Sequence, residues 1–307
     1  MEGCRDLMGT QASSFKSALV VGTARNASAN VAADLPRIVN ALEELLPTKA
    51  YVVESDSSDD TVAKLTELAD KDSRIRFSSL GVVANIIPDR IQRIRHCRNR
   101  YVNEIRTNPL YKEVDLIIVA DLDGINTKID SAVFKLALDL ELSWDALAAN
   151  QSARYYDIFA LRHPLWSPND WSLEADWLEP FLGKKMAKRH SLTDRMIQIP
   201  TAMPPIPVDS AFGGLCIYRR WVFDQFDYLE NSDEPLNENE HVTIHRKVRA
   251  VGGEIYILPG LVNSKWTTHS LGARPVIKVL NSVAQVFPFS LLLPILRKVL
   301  LLSAKHS

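Results

Sequence analysis

The chain lacks what several common protein classes need. Of its 307 residues only three are cysteine, Cys4, Cys97 and Cys216, widely spaced and odd in number. No Cys-x-x-Cys pair or Cys/His cluster suggests zinc, and no even set suggests a disulfide scaffold. Neither G-x-G-x-x-G nor G-x-x-x-x-G-K-[S/T] occurs, which counts against dinucleotide-binding and P-loop readings. A formal net charge of −1 supplies no bulk attraction to nucleic acid, so none is expected as a partner. Residues 1–16 lack the apolar core of a signal peptide and form an expected flexible N-terminus; a cytoplasmic, reducing location is expected. There is no internal repeat or low-complexity block. Residues 275–303 are largely apolar, but Pro288, Pro294, Arg297 and Lys298 interrupt them. A spanning helix wants about 20 uninterrupted apolar residues. The segment 273–307 therefore reads either as a helix packed on the core or as an interfacial anchor, placing the protein peripherally on the cytoplasmic face of a membrane.

What is present points to a folded α/β enzyme. At 46% hydrophobic residues, a chain of this length buries a full core. Residues 17–22 (SALVVG) read as a buried strand. Residues 29–46 place Val31, Leu35, Ile38, Val39 and Leu42 on one helical face, with Pro47 as a stop. Residues 50–54 (AYVVE) form a second strand, followed by SDSSDD, where Ser58 or Asp59 caps a helix through Ala69. A short strand at 74–77, a helix at 89–106 and the most apolar strand, 114–120 (VDLIIVA), continue the alternation. That order implies a mostly parallel sheet with helices on its faces. The second half is less regular: a helix at 131–142, a strand at 155–161, a loop-rich stretch at 162–207 with the basic run 184–190, a strand at 214–218, a helix near 241–251 and a strand at 254–258. Long loops of this kind are usually lids or binding loops.

The central constellation is Asp121-Leu122-Asp123-Gly124, directly after VDLIIVA. Ligands of open α/β sheets bind at the carboxyl ends of strands. Two carboxylates in so small a space repel unless a cation lies beside them, and Mn²⁺ or Mg²⁺ would also bridge to a diphosphate. A turn with two solvated aspartates is the other reading. The first strand ends in Gly22-Thr23-Ala24-Arg25-Asn26, a loop able to set backbone and charge against a nucleotide. Glu54, closing the second strand, is placed to bond a base or ribose, or simply to face water. The helix at 89–106 carries Arg90, Arg93, Arg95, His96, Arg98 and Arg100, a pattern usual for a solvated face.

The order VVGTARN, YVVESDSSDDT, VADLDG resembles GT-A glycosyltransferases, especially the family-2-like group, and RIRHCRNRYVNEI is similar to a segment of fungal capsule-associated and cell-wall mannosyltransferases. The likeness covers about 17–261, loosely. It implies one GT-A (Rossmann-like) domain over 17–272, with a nucleotide-sugar half at 17–130 and an acceptor half at 131–272. It implies Asp121 and Asp123 as metal and diphosphate ligands; Thr23, Ala24, Arg25 and Glu54 at the nucleotide; and Arg98 and Asn99 reaching the donor. The small residues of Val208-Asp209-Ser210-Ala211-Phe212-Gly213-Gly214 permit close approach to a sugar. The likeness makes this the acceptor-side loop, with Asp209 as a sugar-hydroxyl ligand. Glu238-Asn239-Glu240-His241 is similar to a Glu-Asp segment, with His where the group has Asp. Glu240, then Glu238, is the candidate base for the acceptor hydroxyl; both also suit a helix N-terminus. His269 resembles a C-terminal metal ligand of some members. The implied reaction is hexose transfer from a GDP- or UDP-sugar to a glycan or lipid-linked hydroxyl acceptor, inverting if Glu240 is the base and retaining if no base is in reach. The mannosyltransferase-like segment tilts the donor toward GDP-mannose. A sugar nucleotidyltransferase is the nearest rival, although GTARNASAN holds one glycine and one arginine where that class is Gly-rich and basic. A non-catalytic scaffold with a degenerate fold is the other.

Overall fold

The structure, a computed structural model, describes residues 15–229 and 238–267. One eight-stranded sheet runs through both halves of the chain. Its strands are β1 (Ala18–Ala24), β2 (Thr48–Glu54), β3 (Ile75–Ser79), β4 (Leu116–Ala120), β5 (Ala146–Gln151), β6 (Ile206–Pro207), β7 (Leu215–Arg219) and β8 (Ile255–Ser264). Their order is β3-β2-β1-β4-β7-β5-β8-β6. Strands β1 to β4 are mutually parallel, β7 enters antiparallel between β4 and β5, and β8 returns parallel to β5. The expected mostly parallel sheet flanked by helices is therefore present.

Both faces of the central strands are buried, which is why they read as continuous apolar runs. In β4, Ile117 and Val119 join one core cluster, while Leu116, Ile118 and Ala120 join the other. The helices are α1 (Ser28–Glu43), α2 (Thr61–Lys71), α3 (Arg90–Thr107), α4 (Ser131–Leu138), α5 (Trp171–Leu182), α6 (Lys184–Ser191), α7 (Trp221–Gln225) and α8 (Glu240–Ala250). α1 covers the second cluster with Val31, Leu35, Ile38, Val39 and Leu42; α3 covers the first with Cys97, Tyr101, Val102 and Ile105.

Three expectations are corrected. Residues 155–161 form no strand: their backbone turns, and the strand of this region is β5, ALAANQ. Alanine and amide side chains have low strand propensity, so β5 carries no local signal; burial of Asn150 and Gln151 by side-chain bonds sustains it. The loop-rich stretch 162–207 holds the helical pair α5 and α6. The basic helix α3 is not simply a solvated face, because Arg95 and Arg98 are buried. Arg95 Nη2 donates to Glu238 O at 2.8 Å and to Thr243 Oγ1 at 3.1 Å, tying α3 to α8. Segment 273–307, His269 and Cys4 lie outside the described residues. Among the described residues no helix is long and apolar enough to cross a membrane.

Candidate functional site

Asp121 and Asp123 leave the carboxyl end of β4 in a turn that the protein fixes from three sides. Asp121 N–H donates to Gly214 O at 2.9 Å, Asn126 Nδ2 donates to Asp121 O at 2.6 Å, and Gly124 N–H donates to Asp34 Oδ2 at 2.8 Å. Gly124 has φ +89°, a conformation that favours glycine. Asp34, buried in α1, was not visible as a site residue because it supports the turn from another element, and Asn126, buried in the same loop, carried no motif of its own.

The turn opens into a cavity of about 770 Å³, lined also by Thr23, Ala24, Arg25, Arg98, Asp157 and Glu240. Asp123, Asp157, Glu240 and Arg98 are the charges that act most strongly on Asp121. Although 32% of its side chain is exposed, the enclosing protein pushes its pKa up to about 8. Arg98 opposes that rise, while Asp123, Asp157 and Glu240 add to it by repulsion. Arg98 is the compensating charge: its Nη2 reaches Asp121 Oδ1 at 3.4 Å and its Nε donates to Glu240 Oε1 at 3.0 Å. Its guanidinium also lies near the rings of Phe212 (5.5 Å) and Tyr228 (5.7 Å).

Sequence reasoning missed Asp157, because it lies in the stretch misread as a strand. Gly213 N–H donates to its Oδ2 at 2.9 Å and Ala160 N–H to its Oδ1 at 3.2 Å. The only sequence signal was an acidic residue within an aromatic run. His241, the departure from the Glu-Asp pattern, is buried and stacked on Phe212 at 3.6 Å; burial, with Arg98 and His245 nearby, holds it neutral.

The Asp/Ser-rich turn after β2 clasps the first loop. Ser58 N–H donates to Asn26 Oδ1 at 2.7 Å, Asn26 N–H to Ser57 Oγ at 3.0 Å, and Ser28 N–H to Asp59 Oδ2 at 3.2 Å. Glu54 does not face the cavity. It is buried and accepts from Ser57 N–H and Ser79 Oγ, so it shapes the turn that shapes the loop.

Other candidates are also placed elsewhere. Asn99 accepts from Tyr228 N–H at 2.9 Å and lines a different depression, one helical position beyond Arg98 and on another face. Gly213 and Gly214 have φ +67° and +82°; a Cβ on Gly213 would meet Ala149 O at 2.3 Å and one on Gly214 would meet Ile125 at 2.9 Å, so their close approaches are to β5 and to the loop after β4. Asp209 is exposed, pairs with Arg249 at 3.5 Å and lines a separate cavity of about 520 Å³. Glu238 lines that same cavity and pairs with Arg246. The structure thus brings together Thr23, Ala24, Arg25, Arg98, Asp121, Asp123 and Glu240 and separates them from Asp209, Glu238 and Asn99.

Among the described residues, no three His, Cys, Asp or Glu side chains group closely enough to enclose a metal ion. The donor set instead suits a cation held by one or two carboxylates and completed by substrate phosphates, the usual arrangement for Mg²⁺.

No protein-family profile matches the sequence, and no curated protein does. Solved structures similar in chain trace include a mannosyltransferase from Pyrobaculum calidifontis in complex with GDP-Man and Mn²⁺ (12% identity, 90% of this chain and 64% of that one, TM-score 0.49). Others are glucosyl-3-phosphoglycerate synthase from Mycobacterium tuberculosis in complex with Mn²⁺, UDP and phosphoglyceric acid (14% identity, 83% and 69% covered, TM-score 0.42) and mannosyl-3-phosphoglycerate synthase from Rubrobacter xylanophilus (14%, 88% and 73%, 0.42). The chain spans about two thirds of the length of the first two. At such identities and TM-scores below 0.5, likeness transfers neither substrates nor residue roles.

Proposed function

We propose that the protein is a metal-dependent glycosyltransferase that moves a hexose from a GDP- or UDP-sugar to a hydroxyl acceptor. The observation that carries this reading is the repulsion that Asp123, Asp157 and Glu240 exert on Asp121 at the end of the central strand, opposed by the buried Arg98. Such a site is electrostatically incomplete, and Mn²⁺ or Mg²⁺ with a diphosphate completes it. Asp121 and Asp123 would hold the metal, which when bound neutralises charge on the departing diphosphate.

The chain's own residues divide the remaining work. The loop 22–26 borders the same cavity and offers Arg25 and backbone groups to the nucleotide. Glu240, buried in the cavity wall, takes the proton of the acceptor hydroxyl as its oxygen attacks the anomeric carbon, and the configuration inverts. The Arg98–Glu240 pair favours a second role for that residue, holding Arg98 over Asp121, in which case transfer retains configuration.

Product analysis tests the proposal. Incubation with GDP- or UDP-hexoses and Mn²⁺ is expected to release the nucleoside diphosphate, and EDTA to stop it. Release of pyrophosphate from a nucleoside triphosphate and a sugar phosphate would identify a nucleotidyltransferase instead. No turnover and no nucleotide binding would leave a scaffold.

A further inference from the structure

The α5–α6 pair presents an apolar stripe to solvent. No residue of α5 is buried, although it carries Leu173, Trp177, Phe181 and Leu182. Leu173, Trp177 and Phe181 recur every fourth position and are 61%, 69% and 73% exposed, with the Trp177 and Phe181 rings 5.6 Å apart. Asp176 and Glu179 project roughly 100° and 160° from that stripe at 100° per residue. A water-facing helix has no use for such a row, which marks an interaction surface.

The chemistry beside the row selects the partner. Gly183 alone separates α5 from α6, which exposes Lys184, Lys185, Met186 and Lys188. Large aromatic and aliphatic side chains beside lysines suit the boundary between acyl chains and anionic headgroups, where apolar burial and charge attraction add. A homotypic protein contact would have to set these lysines against their own copies or find acids for them.

We propose that the α5–α6 pair docks on an anionic lipid surface. Trp171, which opens α5, and Lys188 of α6 both line the cavity of Asp121, with Lys188 Nζ 5.8 Å from the Trp171 ring. Docking there sets the cavity's mouth beside the headgroups, so that a hydroxyl borne on a lipid reaches it directly. This last step rests on the glycosyl-transfer reading; the docking does not.

Co-sedimentation of the full chain with phosphatidylcholine vesicles, with and without phosphatidylserine, is the test. The expected result is binding that needs phosphatidylserine and weakens roughly tenfold or more in Trp177→Ser/Phe181→Ser and in Lys184→Glu/Lys185→Glu. Both pairs are exposed, so circular dichroism and Mn²⁺-dependent nucleotide binding are expected to stay unchanged. Absence of wild-type binding overturns the inference, as does wild-type binding that both variants keep. A surface-dependent dimer that Trp177→Ser/Phe181→Ser makes monomeric also overturns it. A chain that binds nucleotide but no vesicle loses the lipid surface and keeps the enzyme; one that binds vesicles but no nucleotide does the reverse.

Discussion

Arg98 and Glu240, 142 positions apart in the chain, meet through a 3.0 Å hydrogen bond from Nε to Oε1 in the wall of the cavity that holds Asp121. The bond joins α3 to α8 and leaves the rest of the guanidinium for Tyr101 and Asp121. Removing one partner of a buried pair strands the other. Arg98→Met is therefore expected to cost about 3–5 kcal/mol in chemical denaturation. Arg98→Lys, which keeps the charge but loses the fork, is expected to fall between it and wild type. Equal stability of all three would show that the pair does not hold the helices together.

Glu240→Gln separates the two roles given to that carboxylate. As the base, its loss lowers kcat by about 10²–10⁴-fold while nucleotide affinity stays the same. As a support for Arg98 alone, its loss weakens nucleotide binding and leaves a smaller effect on kcat. Stereochemical analysis of the product decides in parallel, since direct attack by a hydroxyl that Glu240 deprotonates inverts the anomeric carbon.

The raised pKa of Asp121 has a sign that thermal melts can read. Between its ordinary value near 3.8 and about 8, the folded protein binds more protons at this group than the unfolded chain does. Its contribution is thus greatest below the lower value and is lost as pH rises toward 8. At pH 8 without metal, Asp121→Asn is expected to melt no lower than wild type. Saturating Mn²⁺ is expected to raise the melting temperature of wild type and leave the variant unmoved. A metal-free variant that melts well below wild type would contradict the account of repulsion.

A neutral relay under the site gives a fourth test. Ser210 Oγ donates to Ala160 O at 2.7 Å, so it accepts from His245 Nδ1 at 2.9 Å; His245 Nε2 then accepts from Tyr218 Oη at 2.8 Å. Burial pulls the His245 pKa down to about 3. The unfolded chain binds this proton more readily, so the stability contribution is full above about 6.5 and is lost as pH falls toward 3. His245→Phe is expected to cost about 1–3 kcal/mol at pH 7, by taking away the acceptor of Tyr218 Oη, while Ser210 Oγ keeps its bond to Ala160 O. The gap is expected to narrow at pH 5. A gap independent of pH would show that His245 is not held neutral.

The sheet's first half was legible because each of its strands β1, β2 and β4 is buried on both faces and reads as an apolar run closed by a polar turn. Asp121 and Asp123 were legible for the same reason: the end of the most apolar strand marks the end of the sheet. Asp157 was not, since its bonds come from Ala160 and from Gly213, 56 positions away, and its neighbours Tyr155, Ile158 and Leu161 imitate a strand. Asp209 and Glu238 fit local patterns, yet the turn before β7 and the start of α8 aim them at Arg249 and Arg246 around another cavity. Local motifs located the elements; the direction of each side chain was set by partners far along the chain.

The central claim is that Asp121 and Asp123 form a metal-dependent nucleotide-diphosphate site. Calorimetric titration of UDP and GDP, each with and without Mn²⁺, into wild type and Asp123→Ala tests it most directly. The account predicts binding of at least one nucleotide that requires Mn²⁺ and disappears in the variant. Binding that ignores both the metal and the substitution, or no binding to the wild type, would contradict it.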